Sequence, residues 1–412
     1  MLYQSLKHFK TSGLKVLDRE LIILFTINVA VGLTSQLIQP LFPLYLKEIG
    51  ATDLQNAFII SLGNLSATIM MLPGGLLMNK FGKRSLLMLS MVLSGGSVLL
   101  MGFTRNWTLV TPLNILLNIS LCFFIPSRMA LIAEHATPAN RATLFGLMNL
   151  AWPISGLVGP LAGGYLAESY GWGVVFIIAA LISFLAIYPA MLVNKEKQGI
   201  ERFSSEPRRR SSILDKRYLL TMSILFALQT CVATSMAGIN MILPIYLQDR
   251  FNLSYALIGA FFTGSNVLLI FTQIGGGYLA DRHGHRKILL LCAALAPFAI
   301  GSWILFDNWV ALFAVYSIAF GLWSLSWPPI LAMLTELLPA ELRGTGFGLN
   351  MTGSRLGFTL GPIVAGLLYV VPGSSTPFIA AALIYALAFP LTYLLKDRKS
   401  DETVSKNQTF FL

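Results

Sequence analysis

Charge is what this chain has least of. Asp, Glu, Lys and Arg together make up 11% of the residues against 55% hydrophobic, and mean hydropathy is +0.71. That is too little polar surface to clothe a water-soluble domain, so a soluble class is excluded at once. Carboxylates are scarcer still, 18 against 29 lysines and arginines. None falls near the middle of an apolar run: Glu20, Glu48, Glu134, Glu168, Asp281 and Glu336 sit at run ends, and the others lie in loops, linker or tails. The acid that would hold a cationic ligand within a membrane is therefore missing. Cys122, Cys231 and Cys292 are isolated in apolar runs, without CxxC or His-rich spacing, and read as packing residues. There is no nucleotide-binding glycine loop and no catalytic constellation, so neither ATP hydrolysis nor an enzyme is expected, and no cofactor or metal.

What the chain has in quantity is apolar runs of about 20 residues, each long enough to cross some 30 Å of hydrocarbon as a helix. They number about twelve, six in each half. The halves are an internal duplication. Shifting the sequence by 202 residues carries Gly75 onto Gly277, Trp107 onto Trp309, Pro126 onto Pro328, Glu134 onto Glu336, Arg141 onto Arg343, and Gly159-Pro160 onto Gly361-Pro362. The expected fold is an all-α membrane protein of about twelve transmembrane helices in two pseudo-symmetric six-helix bundles. Residues 1–193 form the first bundle, 194–217 a basic linker, 218–396 the second bundle and 397–412 a tail. In a membrane, such a duplication puts the working site between the halves.

The net charge of +11 follows the positive-inside rule rather than marking a nucleic-acid surface. With the N-terminus inside, Lys80, Lys83, Arg84, Arg141, the linker cluster, Arg282, Arg286, Lys287 and Arg343 are all inside, leaving only Lys47, Arg105 and Arg250 outside. A multi-pass protein of the cell membrane with both termini cytoplasmic is expected. The lead before Leu21 is basic and has no small-residue cleavage site, so no removable signal peptide is expected. Arg208-Arg209-Arg210-Ser211-Ser212 has the look of a basic phosphorylation site, though such linkers are ordinarily solvated.

Polar residues divide the spans. Span 1 (about 21–46) places Asn28, Gly32, Gln36 and Gln39 on one helical face, span 4 (107–133) carries Asn114, Asn118 and Arg128, and span 7 (218–247) carries Gln229 and Asn240. Span 8 (253–279) has Asn266 and Gln273, and span 11 (345–371) has Asn350 and Arg355. Spans 3, 6, 9 and 12 carry no charge, Asn or Gln, and can face lipid. Span 10 offers Tyr316, Trp323 and Trp327 along one face, a packing seam or a stacking wall. Arg355 lies near the bilayer centre, where a charge is costly unless it meets water or a partner; Arg128 can snorkel toward the inner end. The substrate-contact candidates are Asn28, Gln36, Asn118, Gln229, Asn240, Asn266, Trp323, Trp327 and Arg355.

Two signatures remain. Gly75, Asn79, Gly82 and Arg84 close span 2 in a basic turn, and Gly277, Asp281, Arg282, Gly284 and Arg286 close span 8 in the same way. Glycine permits positive φ in such turns, and Glu134 and Glu336 are placed to pair with their arginines. Span 5 holds Gly146, Ser155, Gly159, Pro160, Gly163 and Gly164, and span 11 holds Gly348, Gly357, Gly361, Pro362 and Gly366, small residues suited to close helix packing beside a proline bend.

The paired turns resemble the signature between the second and third helices of the major facilitator superfamily. Span 5 resembles the Gly-Pro motif of its twelve-helix drug:proton antiporter branch. The resemblance covers roughly 20–396. It implies that the acid of the turn, Asp281, braces a helix N-terminus and is released as the transporter changes state; Asn79 stands in its place in the first half and supplies no charge. It further implies alternating access and secondary active export of small amphiphilic compounds, a drug or metabolite efflux, by proton antiport. Expected partners are a small-molecule substrate, protons and the lipid bilayer, with no nucleic acid, in a monomer. Uptake of an organic anion or other polar nutrient by symport or uniport stays open, as does a transporter-like membrane sensor.

Overall fold

The computed structural model describes residues 19–136, 141–193 and 216–395. The tail and nearly all of the linker lie outside the described residues, as do the surroundings of Gly277 and the side chains of Asn79, Arg141 and Gln273. Every regular element among the described residues is helical. Span 1 consists of α1 (Arg19–Ile38) and α2 (Phe42–Glu48); α3 (Asp53–Phe81), α4 (Lys83–Phe103) and α5 (Trp107–His135) follow as spans 2 to 4. Span 5 is α6 (Arg141–Asn149) with α7 (Ala151–Tyr170), and span 6 is α8 (Trp172–Leu185) with α9 (Ile187–Leu192). The second half runs α10 (Lys216–Phe251), α11 (Tyr255–His283), α12 (His285–Gly301), α13 (Trp309–Leu337), α14 (Ala340–Leu368), α15 (Thr376–Ala386) and α16 (Ala388–Leu394). Among the described residues eleven stretches are long and apolar enough to cross a membrane by composition; α14, which carries Arg343, Asn350 and Arg355, is not among them.

The breaks inside spans 1, 5, 6 and 12 share one cause. Proline has no N–H, so Pro43, Pro153, Pro189 and Pro390 deprive the carbonyls of Gln39, Asn149, Leu185 and Ala386 of their i+4 donors. At the last three, the helix ends on that carbonyl and restarts two residues later.

The duplication reappears in the hydrogen bonds. Thr108 N–H donates to Asn106 Oδ1 at 3.0 Å to start α5, and Val310 N–H donates to Asn308 Oδ1 at 2.9 Å to start α13. Gly82 and Gly284, at φ 82° and 98°, turn the chain between spans as their lack of a side chain allows. Arg84 donates to the Met191 carbonyl and Arg286 to the Tyr393 carbonyl, and each thereby closes the end of its bundle's sixth span.

The described residues pack as two compact units. The first takes those up to Phe42, those from Ile69 to 193 and Tyr255–Ala260; the second takes Pro43–Thr68, those from 216 to Ser254 and those from Phe261 onward. Leu24, Ile27, Leu87, Phe124, Ile132 and Met148 lie at the heart of the first unit's core. Spans 3, 6, 9 and 12 expose Phe103, Leu185, Phe298 and Leu383, a surface suited to lipid.

Glycine sets the tightest helix pairs. A Cβ on Gly159 would stand 2.5 Å from Gln36 Cβ, so α7 and α1 approach only because that atom is absent. On α14, a Cβ at Gly357 would stand 2.5 Å from Ala233 Cβ and 2.7 Å from the Thr230 carbonyl of α10. Gly163, Gly164 and Gly361 are equally hemmed in by backbone. Gly146 corrects the sequence expectation: nothing lies within 4 Å of its missing Cβ, because it occupies the exposed face of the short helix α6. Gly348 is open in the same way.

Candidate functional site

In the second unit, α14 carries Arg355 half-buried. Among the described residues nothing accepts a hydrogen bond from its guanidinium, and no carboxylate lies within ion-pair distance. A cation held this way keeps its full capacity for an incoming acceptor.

The aromatic face of α13 is a ladder. Tyr316 stacks on Phe320 (5.5 Å between ring centroids), Phe320 on Trp323 (5.3 Å), and Trp323 meets Trp327 edge-on at 5.7 Å. Its two ends differ. Tyr316 is 2% exposed, packed among Phe261, Phe262 and Trp303, with its hydroxyl donating to Asn240 Oδ1 at 3.1 Å, so it is core rather than wall. Trp323 and Trp327 remain half-buried and offer ring surface. Phe320 is a rung missing from the sequence expectation, although its i+4 spacing from Tyr316 is itself helical and could have found it.

The amide candidates separate. Asn240 is joined to span 10 through Tyr316. Gln229 is 4% exposed, and its Oε1 is buried without a donor. Asn266 donates to the Phe262 carbonyl one turn back, and Asn118 to Asn114, so both spend amide donors within their own helices. In the first unit Gln36 lines the seam with Gly159, while Asn28, 2% exposed, accepts from Arg128 Nη1 at 3.5 Å.

The basic turns are wired differently from the expectation that their arginines would meet Glu134 and Glu336. Lys83 pairs with Glu134, and His285 Nδ1 lies 3.0 Å from Glu336 Oε1 and its Nε2 3.4 Å from Asp281 Oδ1. The arginines are drawn instead to the unsatisfied carbonyls at the ends of spans 6 and 12. Each unit thus has one glutamate tied to the first turn of the helix that follows the basic turn.

At the opposite end, the second unit holds a cluster that no motif announced. Lys47 Nζ meets Asp249 Oδ1 at 2.5 Å, Tyr369 donates to Asp249 Oδ2 at 3.0 Å, and Gly373 N–H donates to the Tyr369 oxygen at 2.7 Å. Lys47 and Asp249 are 202 residues apart, the repeat offset, which was the one available signal.

Duplicated cores, matched caps and twin basic turns have a counterpart in known sequences: the Major Facilitator Superfamily profile matches residues 24–229 and again 225–410. The chain belongs to the Major Facilitator Superfamily. It is a multi-pass membrane transporter of small molecules and not an enzyme. Among its facilitator relatives, Multidrug resistance protein 2 of Bacillus subtilis (strain 168) is 23% identical over 375 residues, covering 89% of this chain and 92% of that protein. The multi-drug resistance efflux pump PmrA of Streptococcus pneumoniae is 24% identical, over 88% and 92% of the two chains. The cis,cis-muconate transport protein of Acinetobacter baylyi is 22% identical, over 72% and 74%. In solved structures, a bacterial homologue of the human lysosomal transporter Spinster shares the facilitator fold, with a TM-score of 0.77 at 16% identity over 91% and 95% of the chains.

Proposed function

We propose that this transporter exports small amphiphilic organic compounds, drugs or metabolites, from the cytoplasm of a prokaryotic-type cell, in exchange for protons and by alternating access. The observation that carries this reading is the half-buried ladder of Phe320, Trp323 and Trp327, flat apolar surface in the same unit as the unpaired guanidinium of Arg355. A ligand with an aromatic body and one polar or anionic end fits both. The multidrug names among the relatives support efflux, and the tight α1–α7 seam at Gly159 and Pro160 supports the antiporter-type packing. Asn28, Gln36, Asn118, Gln229, Asn240 and Asn266 supply further polar contacts. The basic turns at Arg84 and Arg286, with Glu134 and Glu336, hold one state of the cycle on the cytoplasmic side, where both termini lie. The protein works as a monomer.

One alternative has an observation behind it. An unpaired Arg355, together with a relative named for muconate transport, favours uptake of an organic anion. Proteoliposomes distinguish the two: substrate-dependent proton movement is followed against cationic, neutral and anionic amphiphiles, with Arg355→Ala alongside. Proton-coupled efflux of amphiphiles upholds the proposal. Anion uptake without proton exchange, lost in Arg355→Ala, establishes the alternative.

A further inference from the structure

Arg128 is a second cation that the transport reading leaves unused. It lies half-buried on α5, just under two turns before the helix ends at His135. Its Nη1 donates to Asn28 Oδ1 at 3.5 Å and its Nη2 to Asn149 Oδ1 at 2.8 Å, while Nε is buried with no acceptor. No described carboxylate lies within ion-pair distance of it. Nε–H and one Nη2–H form the side-on fork of a guanidinium, two parallel donors matched to the two oxygens of a carboxylate or phosphate. Here the fork is half filled. One neutral oxygen, that of Asn149, occupies Nη2, and the other donor is buried with no acceptor among the described residues.

The position of Asn149 gives this arrangement a way to open. Asn149 is exposed, and it ends α6 where Pro153 withholds the donor its carbonyl would otherwise have. Its side chain can rotate out of the fork at the cost of the one hydrogen bond from Nη2. On the far side Asn28, 2% exposed, meets Nη1 at 3.5 Å and Met148 Sδ at 3.8 Å. The guanidinium thus has a buried partner on one edge and an exposed, replaceable one on the other.

From this geometry we infer that Arg128, with Asn28 and Asn149, forms an anion-binding site of the first unit, which takes the carboxylate or equivalent oxyanion of an amphiphilic substrate in a two-pronged contact at Nε and Nη2. The inference deepens the transport reading by naming the substrate class: amphiphiles that carry an acid. It also gives the first unit a cationic anchor of its own, alongside Arg355 in the second.

The test is binding of three probes of one shape, 1-naphthoate, 1-naphthamide and 1-naphthylmethylammonium, to the purified full chain in detergent by titration calorimetry. Naphthoate is expected to bind at least tenfold more tightly than naphthamide, as a charge-assisted fork contact should. In Arg128→Gln that preference collapses toward onefold while naphthamide affinity stays put; Arg128→Lys, which keeps the charge and loses the fork, recovers part of it. An unchanged preference in Arg128→Gln overturns the inference, and so does parallel weakening of naphthoate and naphthamide, which marks a structural residue. Lack of any preference in the unaltered protein overturns it too. Flux is measured separately in proteoliposomes, so intact charge preference without transport sinks the transport reading and leaves the site standing.

Discussion

Gly357→Ala tests whether the α10–α14 pair is held by the absence of one methyl. The added Cβ would stand 2.5 Å from Ala233 Cβ and 2.7 Å from both the Thr230 carbonyl and the Thr234 nitrogen. Carbon atoms at rest keep about 3.5–4.0 Å, so the helices must separate by roughly 1 Å. The obstacles are backbone and a Cβ, which have no rotamer to change. Such overpacking costs about 1–3 kcal/mol. Against it stands the helix preference of Ala over Gly, about 0.5–1 kcal/mol. The net expectation is a loss of about 0.5–2 kcal/mol. Gly348→Ala is the matched control: same helix, same substitution, with nothing within 4 Å of the new methyl, so only the propensity gain operates. Thermal unfolding of both variants in the same detergent gives the answer. If Gly357→Ala melts at or above Gly348→Ala, the seam does not depend on close approach and the packing argument is wrong.

Three further outcomes are expected. Asn106→Ala and Asn308→Ala remove equivalent N-caps and should cost about 1 kcal/mol each, alike within error, as read by thermal unfolding. Tyr316→Phe should cost about 1 kcal/mol by stripping the only described hydrogen bond to Asn240 Oδ1, and Asn240→Ala added to it should cost less than it does alone. Lys47→Met should lower both stability and flux, whereas the charge exchange Lys47→Asp with Asp249→Lys should restore part of each; a double variant no better than the worse single one would show that the pair is not acting as a pair.

The spans and the duplication were legible because hydropathy and repeat spacing are properties of the string itself. The turn glycines were legible too, since positive φ at Gly82 and Gly284 is what a one-residue break between two helices demands. Partners were not. Glu134 and Glu336 could be seen to face the basic turns, but whether lysine, histidine or arginine would reach them depends on where the carbonyls of Met191 and Tyr393 come to lie, a long-range outcome. The same holds for the packing glycines. Gly357 and Gly348 look equivalent in sequence, yet only the first meets another helix. Asn149 had a local signal that went unread: proline four residues on marks a carbonyl out of register, and side chains beside such breaks are free to serve a neighbour.

The polarity of α14 bears on how the protein is made. Arg343, Asn350 and Arg355 lower the apolarity of α14, and the helix packs glycine-to-backbone against α10, a span that leaves the ribosome more than a hundred residues earlier. Insertion of α14 should therefore be templated, with α10 waiting at the translocon until its partner arrives. A truncated chain lacking α10 is expected to leave α14, and Arg355 with it, outside the bilayer.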